Sequence, residues 1–335
     1  MKLSAFLSGR LGFGTAPLGN MFRAVPDDDA RATVEAAWAA GVRFFDTAPV
    51  YGAGLAELRL GDVLADKPRA AYTLSTKIGR IVLDQERPKT ASRPAIFADG
   101  RPNVVVNDYS ADATLRSIED SLKRLRTDRL DIVWVHDVAQ NVYGDVWIDK
   151  LAECRTGAFP VLDRLRDEGT IAAWGMATNP TEPIEIVLAL EEAHPDAFLL
   201  ASHYTLLEHD HALQRLLPAA ERAGAEMVVG APYNSGVLAG GANFDYRPAS
   251  PDLIGRMARL TELATAHGVS LKAVALQFCL AHPVSAAVIP GATRPDRIAE
   301  DVAALTAPVP AALWQTLRDE RLISPAAPTP KSTSG

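Results

Sequence analysis

The sequence predicts an α/β fold, a (β/α)8 TIM barrel with long βα loops at the C-terminal face of its strands. Three observations predict it. Eight short β-branched or aromatic runs alternate with longer stretches of helical periodicity. Three connections are unusually long, and each follows a strand end, where a barrel gathers its substrate loops. The G-x-G-x-x-G turn that a doubly wound sheet carries after its first strand is incomplete in LGFGTAPLGN.

Taken in order, the first strand is expected at Leu11–Thr15. A helix follows at Asp27–Ala40, its first turn acidic as the positive helix end favours. Strand Arg43–Thr47 leads to helix Leu55–Leu64, and strand Tyr72–Lys77 to the first long loop, Gly79–Tyr109. Helix Ala111–Arg126 precedes strand Leu130–His136 and the second long loop, Asp137–Thr156. Next come helix Gly157–Glu168, strand Ile171–Ala177, helix Glu182–Ala193, strand Phe198–Ser202, helix Leu207–Ala223 and strand Glu226–Gly230. The third long loop is Ala231–Ser250. A helix pair at Asp252–His267 and Leu271–Ala281, strand Ala286–Ile289 and helix Pro295–Ala304 complete the alternation. Residues 1–323 are therefore expected to form one domain, since a barrel commonly needs ~250 residues. The tail 324–335, rich in Pro, Ser, Thr and Ala, is expected to be disordered.

The 335 residues carry 34 Lys and Arg against 41 Asp and Glu, a formal charge of −7. With no basic run, neither nucleic acid nor a membrane surface is an expected partner. Two cysteines, Cys154 and Cys279, cannot make a disulfide scaffold and read as reduced. The start MKLSAFLSGRLGFG is a poor signal peptide, and no apolar stretch is long enough to span a bilayer, so a cytoplasmic location is expected.

Polar residues cluster at the ends of strands two, three and four. Asp46 ends an apolar strand, Tyr51 lies in DTAPVYG, Lys77 ends TLSTK and His136 ends LDIVWVH. Each residue alone has an ordinary structural explanation. Together they make a chemical unit. A phenol has pKa ~10 and exchanges protons poorly near neutrality, so it is expected to need a nearby cation, and that cation a carboxylate to hold it. Lys77 and Asp46 supply these groups, and a neutral His136 imidazole would orient a substrate oxygen toward Tyr51.

On the segments GFGTAPLG, GVRFFDTAPVYGAGLAELRLGDVL, LSTKIG, DSLKRLRTDRLDIVWVHD, LRDEGTIAAWGMATN and VIPGATRPDRIAED, the chain resembles the aldo-keto reductase superfamily. The resemblance runs in order through nearly the whole sequence. It implies a barrel binding a nicotinamide cofactor in extended form. Tyr51 would be the proton donor or acceptor, Lys77 its acidifying partner, Asp46 the anchor of that lysine, and His136 the group orienting substrate. The cofactor residues it implies are Gly14, Thr15, Asp46, Thr178, Asn179, Pro232, Asn234, Ser235, Gly236, Ile289, Gly291, Arg294, Arg297 and Asp301. The family's glutamine on strand six falls at Ala201. Its stacking aromatic falls at Gly230, with Tyr233 as a substitute. Where NADP-preferring members read Ile-Pro-Lys-Ser, this chain reads Ile289-Pro290-Gly291-Ala292. Losing a cation and a hydroxyl there points to NAD as the preferred cofactor, with NADP tolerated.

The wording WVHD, GAFPVLDRLRDEGTIAAWGM, HYTLLEHD and PYNSGVLAGG resembles the aldose 1-dehydrogenase branch. It implies oxidation of the cyclic hemiacetal hydroxyl of an aldose such as L-fucose, L-galactose or D-threo-aldose to a lactone. Alternatives are pyridoxal oxidation to its lactone, general aldehyde or ketone reduction, and a non-catalytic cofactor-binding regulatory subunit. Pocket candidates for a small polar substrate are Tyr51, His136, Tyr143, Trp147 and His203, with Tyr204 and Asn234 nearby. His209 and His211 in EHDHAL lack a third ligand at suitable spacing, so no metal is expected. The sequence leaves monomer and homo-oligomer equally open.

Overall fold

The computed structural model describes residues 2–86, 95–97 and 99–330. Eight strands run β1 Phe13–Gly14, β2 Phe44–Asp46, β3 Thr73–Ile78, β4 Ile132–His136, β5 Ala173–Thr178, β6 Ala197–Ala201, β7 Glu226–Gly230 and β8 Ser285–Ile289. They lie side by side in chain order, every neighbouring pair parallel. Leu11 and Gly14 bridge to Val288 and Gly291, closing the ring. Gly12 N donates to Val288 O at 2.8 Å and Gly14 N to Pro290 O at 3.0 Å. A Cβ on Gly14 would lie 2.9 Å from Ile289 O, so the seam needs glycine there. The chain is thus the expected α/β barrel.

Helices sheathe the strands, so strand residues are buried almost without exception, as a parallel sheet covered on both faces requires. One apolar cluster draws Phe44, Ile132, Trp134, Ala173, Leu199, Val228 and Ala287 from β2 and β4 to β8, with Leu3 against it. The larger cluster joins the remaining strand residues to the helices. Among the described residues no single helix is long and apolar enough to cross a membrane.

The long loops hold structure that alternation alone does not reveal. The first contains an antiparallel hairpin, Arg80–Glu86 with Asn103–Asn107. The second contains helices Gln140–Tyr143 and Trp147–Thr156. In the third, Asn243–Phe244 pairs with Arg247–Pro248. The helix expected from Leu207 begins instead at Asp210, with a wide turn over Ala212–Leu216 ahead of Leu217–Ala223. Pro218 has no N–H for a regular ladder, and Thr205 Oγ1 accepts from the N–H groups of Leu207 and Glu208, holding that stretch as a turn.

The C-terminal expectation requires correction. Helix Ala311–Asp319 buries Leu313, Trp314 and Leu317. Beyond it, Ser324–Pro330 is packed rather than disordered. Ala327 is buried, and Arg318 Nη2 donates to Ala327 O and to Thr329 Oγ1 at 2.8 Å. Ser324 N–H donates to His209 Nε2 at 2.9 Å, while His209 Nδ1 meets Thr205 O at 2.8 Å. Both histidine nitrogens are therefore occupied by protein. Residues 331–335 of the expected tail lie outside the described residues.

His209 joins the tail to the β6 loop, and burial holds its imidazole below the usual histidine range. His209→Ala should lower stability by about 2–4 kcal/mol, leaving a cavity and unpaired backbone groups. Urea unfolding at pH 7.5 measures this, and a loss under ~0.5 kcal/mol would remove the clasp. The unfolded imidazole binds protons near pH ~6.5 while the folded one resists, so wild-type stability should fall as pH drops below that value.

Candidate active site

β2, β3 and β4 deliver Asp46, Lys77 and His136 to the same end of the barrel, and the turn after β2 brings Tyr51 over them. Asp46 and Lys77 are 2% and 1% exposed, so neither is solvated by bulk water. They satisfy each other instead. Lys77 Nζ donates to Asp46 Oδ2 at 2.5 Å and to Thr47 O at 2.8 Å. Asp46 Oδ1 accepts from Ser75 Oγ at 2.6 Å and from Trp134 Nε1 at 3.1 Å. A buried ion pair holds only with such added donors. Trp134 sits two residues before His136, on the same face of β4, a spacing that could have disclosed it.

Lys77 Nζ stands 4.9 Å from the centroid of the Tyr51 ring, at cation–π distance. The Tyr51 and His136 rings meet edge to face, 5.9 Å apart at 85°. Burial works against the expected acidification of Tyr51. Burial, then Asp46 and Asp137, push the phenol well above its ordinary value, with Arg80 opposing. The ammonium is directed at Asp46 and Thr47. His136 is held well below the usual histidine range by burial, Lys77 and Arg80. At neutral pH a protonated phenol thus faces a neutral imidazole. His136 Nδ1 is buried with no hydrogen-bond partner among the described residues, and Nε2 lies 3.5 Å from Asp137 Oδ2.

These four residues open into a cleft of about 1000 Å³. Of the expected cofactor residues, Gly14, Asp46, Thr178, Asn179, Pro232, Ser235, Gly236, Ile289, Gly291, Arg297 and Asp301 line it. Thr15, Asn234 and Arg294 do not. Thr15 is fully buried, its N–H given to Asp46 O. Asn234 is fully buried as a brace, accepting from Thr205 Oγ1 and donating to Ser202 O at 2.8 Å. Arg294 pairs with Asp296 at 3.1 Å outside the cleft.

Three substrate candidates are also displaced. Tyr143 hydrogen-bonds Tyr109 at 2.8 Å, behind the site, where Tyr109 donates to His136 O. Trp147 opens the helix Trp147–Thr156 and packs on the core, and His203 Nδ1 meets Ala201 O of its own strand end. Tyr204 is buried away from the cleft. Tyr233 lines the cleft, yet its hydroxyl is donated to Asp301 at 2.7 Å.

Arg80, Asp137, Tyr246 and Lys272 are among the further lining residues that escaped the sequence reading. Tyr246 occupies a two-residue hairpin turn in which Asp245 and Tyr246 have φ of 43° and 64°, a strained backbone for a bulky residue. Its N–H is held by Ser235 Oγ at 2.9 Å, and its hydroxyl lies 3.4 Å from Asn179 Nδ2. The third loop therefore reaches across the cleft to β5.

An aldo/keto reductase family match spans residues 10–319. The chain belongs to that family. It is 37% identical over 329 residues to a pyridoxal 4-dehydrogenase from Microbacterium luteolum, covering 94% of both chains. It is 35% identical over 331 residues to a D-threo-aldose 1-dehydrogenase from a Pseudomonas species, covering 96% of this chain and 95% of that one. Among solved structures it resembles an aldo-keto reductase from Bacillus halodurans in its holo form, with a TM-score of 0.68 and 25% identity. That likeness covers 93% of this chain and 91% of the other. The protein is an enzyme, an NAD(P)-dependent oxidoreductase of carbonyl and hydroxyl groups.

The cleft fits such a cofactor chemically. Asn179 offers an amide donor and acceptor in the same cleft as Tyr51 and His136, suited to a carboxamide. Toward the end of β8, Arg297 and Lys272 offer cations to phosphates. When bound, the nicotinamide supplies a hydride donor or acceptor.

Tyr51→Phe should lower turnover by orders of magnitude with cofactor affinity nearly unchanged, since the proton route is lost but the binding surface is not. Turnover within a few-fold of wild type would discharge Tyr51 from that role. Lys77→Met should destabilise the fold by about 3–5 kcal/mol, stranding the Asp46 carboxylate in a dry site. Denaturant unfolding measures it, and an unchanged midpoint would contradict the pairing. In the oxidative direction the rate should climb as pH rises above neutrality, because Tyr51 accepts a proton only once unprotonated. No inflection is expected near pH ~6.5, where His136 is already neutral.

Proposed function

We propose that this enzyme is an NAD-preferring dehydrogenase that oxidises the ring hydroxyl of a cyclic hemiacetal to a lactone. Its substrate is an aldose of the L-fucose, L-galactose or D-threo-aldose kind. The observation that carries the reading is the uncharged pair at the cleft floor, Tyr51 edge to face with His136 at 5.9 Å. Such a pair can grip an oxygen that is a hydroxyl on one side of the reaction and a carbonyl on the other. His136 orients that oxygen. Tyr51, once unprotonated, takes its proton, and Lys77 favours the phenolate from the ring face.

NAD preference rests on charge bookkeeping at the far end of the cleft. Lys272 is paired with Asp301 at 2.6 Å and Glu300 at 2.9 Å, and Arg297 with Glu300 at 2.9 Å. Within this cluster two cations face two carboxylates, so these four residues leave no surplus charge for a 2′-phosphate, and Gly291-Ala292 adds none. A second reading, pyridoxal oxidation, is supported by the Microbacterium luteolum relative and by Phe97, whose ring lies 5.9 Å from that of Tyr51 at 31°. An aromatic substrate could lie against that surface.

Initial rates with L-fucose, L-galactose, D-arabinose and pyridoxal, each with NAD and NADP, test both readings. Fastest oxidation of an aldose with NAD is expected. Negligible oxidation of all four beside rapid NADPH-dependent aldehyde reduction would overturn the proposal. Glu300→Gln should raise the NADP-to-NAD ratio of kcat/KM a few-fold by releasing Arg297, a modest gain because the pair is partly solvated. An unchanged ratio would show that this pair does not set cofactor choice.

A further inference from the structure

Directly after His136, Asp137 opens the second long loop with a left-handed backbone, φ of 55°. Its N–H still donates to Ala177 O at 2.9 Å, so the twist is fixed by the β5 edge. Aspartate tolerates this region better than most residues. The carboxylate is then held on one side. Arg80 Nη2 donates to Oδ2 at 2.9 Å, and the same oxygen lies 3.5 Å from His136 Nε2. Asp137 Oδ1 has no partner among the described residues, and both side chains line the cleft. Burial raises the Asp137 carboxyl, but Arg80 and Lys77 oppose this. The result is an anchored acceptor with one oxygen to spare, beside the atom that orients substrate.

Nothing in proton exchange by Tyr51 and His136 requires that oxygen. Resting on the hemiacetal reading above, we propose that Asp137, braced by Arg80, determines specificity by accepting a hydrogen bond from a hydroxyl on a non-reacting carbon of the substrate. The ligand class is a polyhydroxylated ring, one of whose neighbouring hydroxyls lies within reach of Asp137 while the ring hydroxyl engages His136 and Tyr51. Phe22 and Phe97, across the same cleft, give an apolar surface for the carbon face of such a ring. Arg80 is a positioning residue. It begins the hairpin Arg80–Glu86 and ties that hairpin to the end of β4. A site built to bond a hydroxyl rejects the analogue without it, because its charged acceptor is then left unpaired.

The test compares L-fucose with 2-hydroxytetrahydropyran, a cyclic hemiacetal that carries the reacting hydroxyl and no other. Both use Tyr51, so a common shift in its protonation cancels in the ratio of their kcat/KM values. Asp137→Asn, nearly isosteric, should cut the fucose-to-tetrahydropyran ratio roughly ten- to a hundredfold, mainly through the KM for fucose, as expected for losing a hydrogen bond to a charged group. Arg80→Met should lower the ratio in the same direction, and it supplies the measurement if the first variant folds poorly. A ratio unchanged in both variants, with parallel losses on the two substrates, overturns the assignment of Asp137 while leaving the hemiacetal reading intact. Wild-type enzyme that oxidises neither hemiacetal but reduces simple aldehydes overturns that reading and this inference together.

Discussion

The site depends on one dry ion pair. Asp46 and Lys77 lie within the strand ends of the barrel, where each charge would be prohibitively costly alone, and their mutual contact and the donors Ser75 and Trp134 make them tolerable. Because the pair cannot reorient without stranding a charge, it fixes the face of Lys77 presented to Tyr51. The short turn after β2 then has one job, to lay the phenol across that face. Strand register and catalytic geometry are therefore the same fact, since Phe45 and Asp46 pair with Leu74 and Ser75 in the ladder that brings Lys77 alongside.

Charge is graded outward from this pair. A full ion pair occupies the deepest layer, an uncharged phenol and imidazole the next, and a second ion pair, Arg80 with Asp137, the mouth. Burial raises the phenol and depresses the imidazole, so both remain neutral between two charged layers. A reacting oxygen placed there meets hydrogen-bonding groups without a fixed net charge. At the far end, Lys272 and Arg297 are matched by Glu300 and Asp301, so cation count alone misstates the field a cofactor would meet.

Most of the barrel was legible because parallel strands buried on both faces leave short apolar runs, and all eight expected strands occur within two or three residues of their predicted ends. The gathering of Asp46, Tyr51, Lys77 and His136 was legible for a related reason: a strand ends in a known direction, so a polar residue there has a predictable destination. Loop residues lack that constraint. His203, Trp147, Tyr143 and Asn234 were expected at the site from proximity in sequence, but local turns send each elsewhere, Asn234 into a bracing role between Thr205 and Ser202. Tyr246 was hidden for the opposite reason, reaching the cleft from a hairpin whose left-handed turn carries neither glycine nor asparagine. The direction of the Tyr51 shift depended on burial, which residue types alone do not give. Helix Ala311–Asp319 was missed, although the spacing of Leu313, Trp314 and Leu317 after Pro310 signals it.

The seam of the barrel has a consequence for ligand binding. β1 pairs with β2 through Phe13 and Gly14 alone, and with the last strand region through two isolated bridges, making this the thinnest joint in the ring. With so few ladder bonds, opening of the cylinder is expected there before it is expected at the longer ladders. Gly14 and Gly291 belong both to that joint and to the cleft wall. A molecule lying across them would therefore bridge the two sides of the joint, coupling closure of the cylinder to occupancy of the cleft.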